Sequence, residues 1–339
     1  MIISFLPGNH ACRAKQPFGG SRLLGKTVIW GIALVGQNSH LGDHACWTKQ
    51  SLQNPYSVGY NFFMKKTTEK QIISLIKERP KESHKGDFGR IMIVAGSKGM
   101  AGAAILCGKA ALKSGAGLVE YYAPEEIFTI LQTAVPEATC KRRGTFPDTD
   151  RYDAVALGPG LGGSGQNRSL MLNLLDSYKG PLVIGADGIN TIVSENLFDE
   201  LIHSEADIVV TPHPGEAKRL LGIDIITKRE ETVLEIAKTF NVTAVLKGAG
   251  TLIALPEGKV FLNDTGNPGM ATGGAGDVLT GIIAALMGQR LPAADSAAAG
   301  VYIHGLAGDM AAAEIGMTGM TAMDICDFTA KAFKSVLGK

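Results

Sequence analysis

The chain has 339 residues, 45% of them hydrophobic, which is material for one large α/β core or two small ones and excludes a fibre or a solvated tail. Its 33 basic and 32 acidic residues leave a formal charge of +1, so no net field holds a nucleic acid or an anionic membrane, and a small-molecule partner is expected. Glycine is in excess, 43 residues or about 13% against an average near 7%, so many backbone turns must come close to another surface.

Residues 1–63 are polar, punctuated by Gly and Pro, and aperiodic apart from an apolar island at Val28–Val35. That island falls well short of the ~18 apolar residues of a membrane helix. Little fixed structure is expected there; Met64 reads as the natural start of a domain over 64–339, with 1–63 an upstream extension or start-site artefact. His10, Cys12, His40, His44 and Cys46 match no regular zinc spacing, so no metal site is expected from them. The five cysteines (Cys12, Cys46, Cys107, Cys140, Cys326) are widely spaced without a CxxC pair, which reads as reduced thiols in a cytoplasmic protein.

From Met64 an amphipathic helix carries Ile72, Ile73 and Ile76 and stops at Pro80. Beyond Arg90, β-branched runs alternate with Ala- and Leu-rich stretches. Strands are predicted at Ile91–Ala95, Leu118–Tyr122, Ala154–Leu157, Leu182–Ile184, Ile208–Thr211, Ala244–Leu246, Thr251–Leu255 and Val260–Asn263. Helices are predicted at Ala101–Ser114, Glu125–Ala134, Gln166–Asp176, Glu195–His203, Glu231–Phe240, Gly274–Met287, Pro292–Ile315 and Ala322–Val336. Near-continuous apolar strands in βαβ alternation predict an α/β fold of three layers, a mostly parallel sheet between helices. The short link Pro256–Gly258 makes the last two strands a hairpin.

In such a fold ligands sit at the carboxyl ends of strands. The strongest signal is Asn267-Pro-Gly-Met-Ala-Thr-Gly-Gly-Ala-Gly-Asp277, followed at once by an apolar helix. Glycines at 273, 274 and 276 let a ligand approach the backbone, and the free N–H groups of Gly274, Ala275 and Gly276 at a helix mouth form an anion hole. Asp277 in the first turn is placed to take a proton from a hydroxyl held beside a phosphate, although an Asp there can equally be a cap. Lys247-Gly-Ala-Gly-Thr251 offers a cation and flexible amides between two strands. Thr211-Pro-His-Pro-Gly-Glu216 holds His213 on a stiff loop, and Gly158-Pro-Gly-Leu-Gly-Gly163 again exposes backbone after a strand. Ala95-Gly-Ser-Lys-Gly-Met-Ala-Gly-Ala-Ala104 is no clean GxGxxG, which leaves the Rossmann reading weak, and GxxxxGK[ST] and GxSxG are absent, which removes the P-loop and hydrolase-elbow readings.

Together with His84-Lys-Gly-Asp-Phe-Gly89 and Val94-Ala-Gly-Ser97, these motifs closely resemble the bacterial ADP-dependent NAD(P)H-hydrate dehydratases, in order from about Lys65 to the C-terminus. The resemblance implies a ribokinase-like αβα fold, a homotetramer, and ADP-driven dehydration of the S epimer of NAD(P)H hydrate, with Mg2+ as cofactor and ATP as an alternative donor. It places Ala103, Gly160, His213 and Asp277 against the hydrated dinucleotide. Lys247, Gly248, Ala249, Gly250 and Thr251, with Gly276, fall on the adenine-nucleotide site. It implies Asp277 as the base that frees the C6 hydroxyl for phosphorylation, after which phosphate leaves in place of hydroxide. One departure stands out: Val183-Ile-Gly-Ala-Asp-Gly-Ile-Asn190 carries Gly185 where relatives often have Asp, which puts the role of that first carboxylate in doubt. Two rivals remain, a small-molecule kinase of the same superfamily acting on a thiazole or pyrimidine alcohol, and a non-catalytic nucleotide sensor.

Overall fold

Runs such as Ala154–Leu157 and Thr243–Leu246, with every side chain buried, are satisfied only in a sheet covered on both faces. The computed structural model describes residues 63–144, 149–163 and 166–338. Its strands are β1 (Phe63–Lys66), β2 (Arg90–Val94), β3 (Leu118–Ala123), β4 (Thr139–Arg142), β5 (Ala154–Leu157), β6 (Pro181–Ile184), β7 (Asp207–Val210), β8 (Thr243–Leu246), β9 (Thr251–Ala254) and β10 (Lys259–Asn263). They form one ten-stranded sheet in the order β1-β10-β9-β8-β7-β6-β5-β2-β3-β4. From β8 through β4 all neighbours are parallel, and only β9 runs against its neighbours.

The helices are α1 (Glu69–Leu75), α2 (Ala101–Lys113), α3 (Phe128–Ala134), α4 (Gln166–Ser177), α5 (Asp187–Ser194), α6 (Phe198–His203), α7 (Pro214–Leu221), α8 (Arg229–Phe240), α9 (Ala275–Gly288), α10 (Ala293–Ile315) and α11 (Ala322–Val336). The period-2 alternation of a strand divides the core. Met92 and Val94 face the layer holding α4 to α8, while Ile91 and Ile93 face α2, α3, α9 and α10. Helix α11 packs outside α9 and α10 through Ile325, Cys326 and Phe328. The three-layer, mostly parallel architecture expected from the alternation is thus the one observed.

Several boundaries differ for physical reasons. The expected helix Glu195–His203 starts only at Phe198, because Asn196 takes the left-handed conformation that Asn tolerates and ends the preceding turn. That turn follows α5, which the sequence hid: Gly188 and the β-branched Ile189, Thr191, Ile192 and Val193 are poor helix formers, and burial of both isoleucines holds them. Glu125–Ala134 opens as a 3-10 turn over Glu125–Ile127 before α3. Helix α1 ends at Leu75, before Pro80, and leaves Ile73 exposed while Ile72 is buried. Strand β4 is polar and stands at the sheet edge, held by its pairing to β3. Strand β1 begins at Phe63, one residue ahead of Met64, and pairs with β10. Residues 1–62, with Cys12, Cys46 and the candidate zinc ligands, lie outside the described residues.

Helices α2 and α9 touch through Gly281, where a Cβ would stand 2.1 Å from the Cys107 carbonyl oxygen. Since backbone cannot yield as a side chain does, Gly281→Ala should cost about 1–3 kcal/mol. An unchanged urea midpoint would mean that the two helices separate freely.

Candidate active site

Parallel strands bring the loops after β2, β5, β6, β7 and β8 to one edge of the sheet, and β10, parallel to β8 in sense, delivers the mouth of α9 to the same edge. The β8–β9 turn holds Lys247 to Thr251. Gly248 (φ 129°) and Gly250 (φ 63°) supply left-handed turns that a side chain would strain. Arg229, the first residue of α8, grips this turn by donating from Nη1 to Ala249 O (2.5 Å) and from Nη2 to Lys247 O (3.3 Å).

At the mouth of α9, Gly274 is the N-cap with φ 94°. Asp277 N and Val278 N both donate to Gly274 O (3.0 and 3.1 Å), and Ala275 N reaches Thr272 O only at 3.4 Å. Among the described residues neither the Gly274 nor the Gly276 amide has an acceptor, and that of Ala275 has only a long one, so this helix mouth keeps amides open to an anion. Lys247 Nζ stands 3.1 Å from where a Cβ on Gly276 would lie, which puts the cation beside that amide. His304, from α10, donates from Nε2 to Ala275 O (2.9 Å); burial holds its pKa down at about 4, so it stays neutral. Asp309 accepts from Gly266 N and Asn267 Nδ2, both at 2.9 Å, and anchors the approach loop.

His213 lies not on a free loop but at the N-cap of α7, with Pro214 at the first helical position, where a missing N–H costs nothing. Its Nδ1 accepts from Gly215 N (2.9 Å) and Glu216 N (3.3 Å). The neutral ring therefore carries its proton on Nε2. Burial, with Lys247 and Arg219, lowers its pKa against the pull of Glu216. Glu216 is buried, accepts from His213 N (2.7 Å), and pairs with Lys247 Nζ (3.6 Å). Lys247 is thus held between Glu216 and the α9 mouth.

Asp277 occupies the first turn of α9, and burial raises its pKa to about 6; Lys247 opposes the rise, while Asp187 and Glu216 add to it. These couplings place Asp277, Asp187, Glu216 and Lys247 in one cluster. Asp187 begins α5 directly after Ala186, whose φ of 45° is strained for a non-glycine. Its carboxylate accepts from Gly162 N (2.9 Å) and Asn190 Nδ2 (3.3 Å), which ties the β5 loop to the cluster. In that loop, a Cβ on Gly160 would come within 2.9 Å of Ala103 Cβ, so these two predicted substrate residues are neighbours. Leu106, one turn beyond Ala103 on α2, packs on Gly274 and joins the two halves of the site.

A side chain at Gly185 would meet Thr280 Oγ1 and Thr211 Oγ1 at 2.7 and 2.9 Å. A carboxylate at this position would therefore lie against α9 beside Thr280, and Thr211 Oγ1 is left buried without a partner. Among the described residues no group of three or more His, Cys, Asp or Glu side chains is arranged as a metal site.

A groove of about 1140 Å3 lies at the opposite pole beside Ser114 and Gln289, where α2 and α9 end. Asp87 and Phe88 of the His84–Gly89 motif line it, but none of His213, Lys247, Gly276 and Asp277 does. Of the supporting side chains, the capping spacing of His213 and Glu216 was readable in the sequence. Arg229, His304 and Asp309 come from distant helices and carry no local signal.

The model of the NAD(P)H-hydrate dehydratase family matches residues 91–331. The chain is 41% identical over 273 residues to the bifunctional NAD(P)H-hydrate repair enzyme of Moorella thermoacetica, covering 75% of this chain and 51% of that protein. It therefore spans about half the length of such bifunctional relatives. It is 34% identical over 241 residues to the ADP-dependent (S)-NAD(P)H-hydrate dehydratase of Neisseria meningitidis, covering 70% of this chain and 81% of that protein. Among solved structures, the ADP/ATP-dependent NAD(P)H-hydrate dehydratase of Bacillus subtilis, co-crystallised with ATP and Mg2+, superimposes with a TM-score of 0.73 at 30% identity, covering 81% of this chain and 99% of that one. With its ribokinase-like three-layer fold and the glycine loops, His213, Lys247 and Asp277 gathered at one sheet edge, the chain belongs to the NAD(P)H-hydrate dehydratase family.

Proposed function

We propose that the chain restores NAD(P)H from the S epimer of its hydrate at the expense of ADP. The observation that carries this is the pairing of a buried carboxylate, Asp277, with the unpartnered Gly276 amide and Lys247 at one helix mouth. A base beside an anion hole is what phosphorylation of a hydroxyl requires, whereas a sensor needs only the glycines and the lysine. Lys247 to Thr251, with Gly276, hold the ADP phosphates; Ala103, Gly160 and His213 position the hydrated ring.

Asp277 takes the C6 hydroxyl proton as that oxygen bonds to the terminal phosphorus and AMP leaves with the electron pair of the broken P–O bond. Lys247 and the Gly276 amide stabilise the charge on the transferring phosphoryl group. The ring nitrogen then pushes out phosphate, and loss of the C5 proton to it restores the dihydropyridine. Mg2+, held by phosphate oxygens and by Asp187, would neutralise charge there. His213, neutral with Nε2–H, donates a hydrogen bond and moves no proton.

ATP is the alternative phosphate donor. The reading includes a cytoplasmic location, which the free thiols of Cys107, Cys140 and Cys326 suit, and a homotetramer. Among the described residues no helix is long and apolar enough to cross a membrane. Incubation with hydrated NADPH and either ADP or ATP should regenerate the reduced-nicotinamide absorbance and release inorganic phosphate. A stable phosphate ester on a thiazole or pyrimidine alcohol, with no recovery of that absorbance, would instead make the chain a kinase.

A further inference from the structure

Helix α10 meets the approach to the α9 mouth with one face, made of His304, Gly305, Gly308 and Asp309. The two glycines allow close approach. A Cβ on Gly305 would stand 2.1 Å from Thr265 Oγ1 and 2.7 Å from the Thr265 carbonyl, and one on Gly308 would stand 2.3 Å from Met270 Sδ. The segment 266–275 therefore lies directly on the helix, and the two polar residues hold its ends. Asp309 takes the entry, through Gly266 N and Asn267 Nδ2, and Asn267 Oδ1 passes the restraint on by accepting from Gly269 N (3.0 Å). His304 takes the exit, at Ala275 O. Five residues of α10, a rise of about 7.5 Å, separate the two holds.

The hold at the exit acts on the anion hole itself. A carbonyl oxygen only accepts, so His304 carries its proton on Nε2 and donates. The accepting oxygen belongs to the peptide unit whose other end is the Gly276 N–H, one of the open amides of the mouth. In a trans peptide the C=O and N–H point opposite ways, so a donor fixed behind the oxygen sets the direction in which the N–H faces outward. The same bond draws electron density from the nitrogen and makes its N–H a stronger donor, the cooperativity of linked hydrogen bonds. Neither effect needs the imidazole to touch a ligand.

Lys247 already supplies charge at this amide, with Nζ 3.1 Å from the place a Cβ on Gly276 would take. Burial keeps the His304 ring neutral, so the histidine adds a directed donor from behind and no second cation. We infer that His304 is a positioning residue of the anion hole: through the Ala275 carbonyl it aims and polarises the Gly276 amide toward the phosphate bound there, while Asp309 keeps the approach loop seated. This rests on the dehydratase reading and adds to it a residue that acts through the backbone.

Wild-type protein, His304→Gln and His304→Leu are compared in turnover of NADPH hydrate with ADP, in ADP binding by calorimetry and in urea midpoint. A Gln side chain brings an amide nitrogen to the place of the imidazole Nε2 and can donate, whereas Leu fills a similar volume and cannot. His304→Leu should lower kcat about threefold to tenfold, the worth of one hydrogen bond, and weaken ADP by less, because the amide meets most charge in the transition state. His304→Gln should regain most of both. A packing role would give the reverse order, with His304→Leu near wild type and His304→Gln impaired, and that order overturns the inference. Equal losses in the two variants, or a lowered midpoint with unchanged kcat in His304→Leu, overturn it as well. ADP affinity lowered in His304→Leu and regained in His304→Gln, in a protein that turns over no hydrate, would uphold the role of His304 and defeat the dehydratase reading.

Discussion

Replacing Asp277 by Asn should leave nucleotide binding intact and lower turnover by about 10²–10⁴-fold, the loss typical of a missing general base. In the wild type the acid limb of kcat/KM should follow a group titrating near pH 6, the value to which burial raises this carboxyl, and the limb should vanish from what activity the variant keeps. The same substitution should stabilise the protein. The folded pKa lies above the unfolded value of 3.8, so below about pH 4 both states hold the proton and the buried carboxyl costs nothing. Between pH 4 and 6 the unfolded chain ionises first and stability falls; above pH 6 the cost is constant. The shift corresponds to roughly 3 kcal/mol, which partial exposure reduces to about 1–2 kcal/mol. Urea midpoints of the two proteins at pH 8 and pH 4 check this: the variant should gain at pH 8 only. Near-normal turnover in the variant would remove Asp277 from the mechanism.

Lys247→Met should weaken ADP by about tenfold to a hundredfold, because the charge-assisted bonds to phosphate are lost while the shape of the β8–β9 turn, gripped by Arg229, remains. It should also move the acid limb to higher pH, since Lys247 is the group that holds the Asp277 pKa down. Glu216, 3% exposed, would lose its cation and keep the His213 amide and, at 3.5 Å, His213 Nε2, at a cost of about 1–3 kcal/mol in stability. Steady-state kinetics in ADP across pH 5–9, beside a denaturation midpoint, separates these effects. An unchanged KM for ADP would show that Lys247 serves only to neutralise Glu216.

The alternation of buried strands and helices was legible because each βαβ unit writes its own local period, as Ala154–Leu157 does against Gln166–Ser177. Elements held by their neighbours were not: polar β4 exists through its pairing with β3, and α5 through burial of Ile189 and Ile192. The sequence by itself determined the glycine turns, the first-turn position of Asp277 and the order of the loops, since these depend on residues adjacent in the chain. Only the tertiary structure decided that Lys247 lies against Gly276, that Glu216 binds both Lys247 and His213, and that His304, Arg229 and Asp309 brace the mouth of α9, the β8–β9 turn and the loop before α9. The reason is that a parallel sheet brings residues far apart in the chain to one edge, where burial and charge act across space and leave no trace in local spacing.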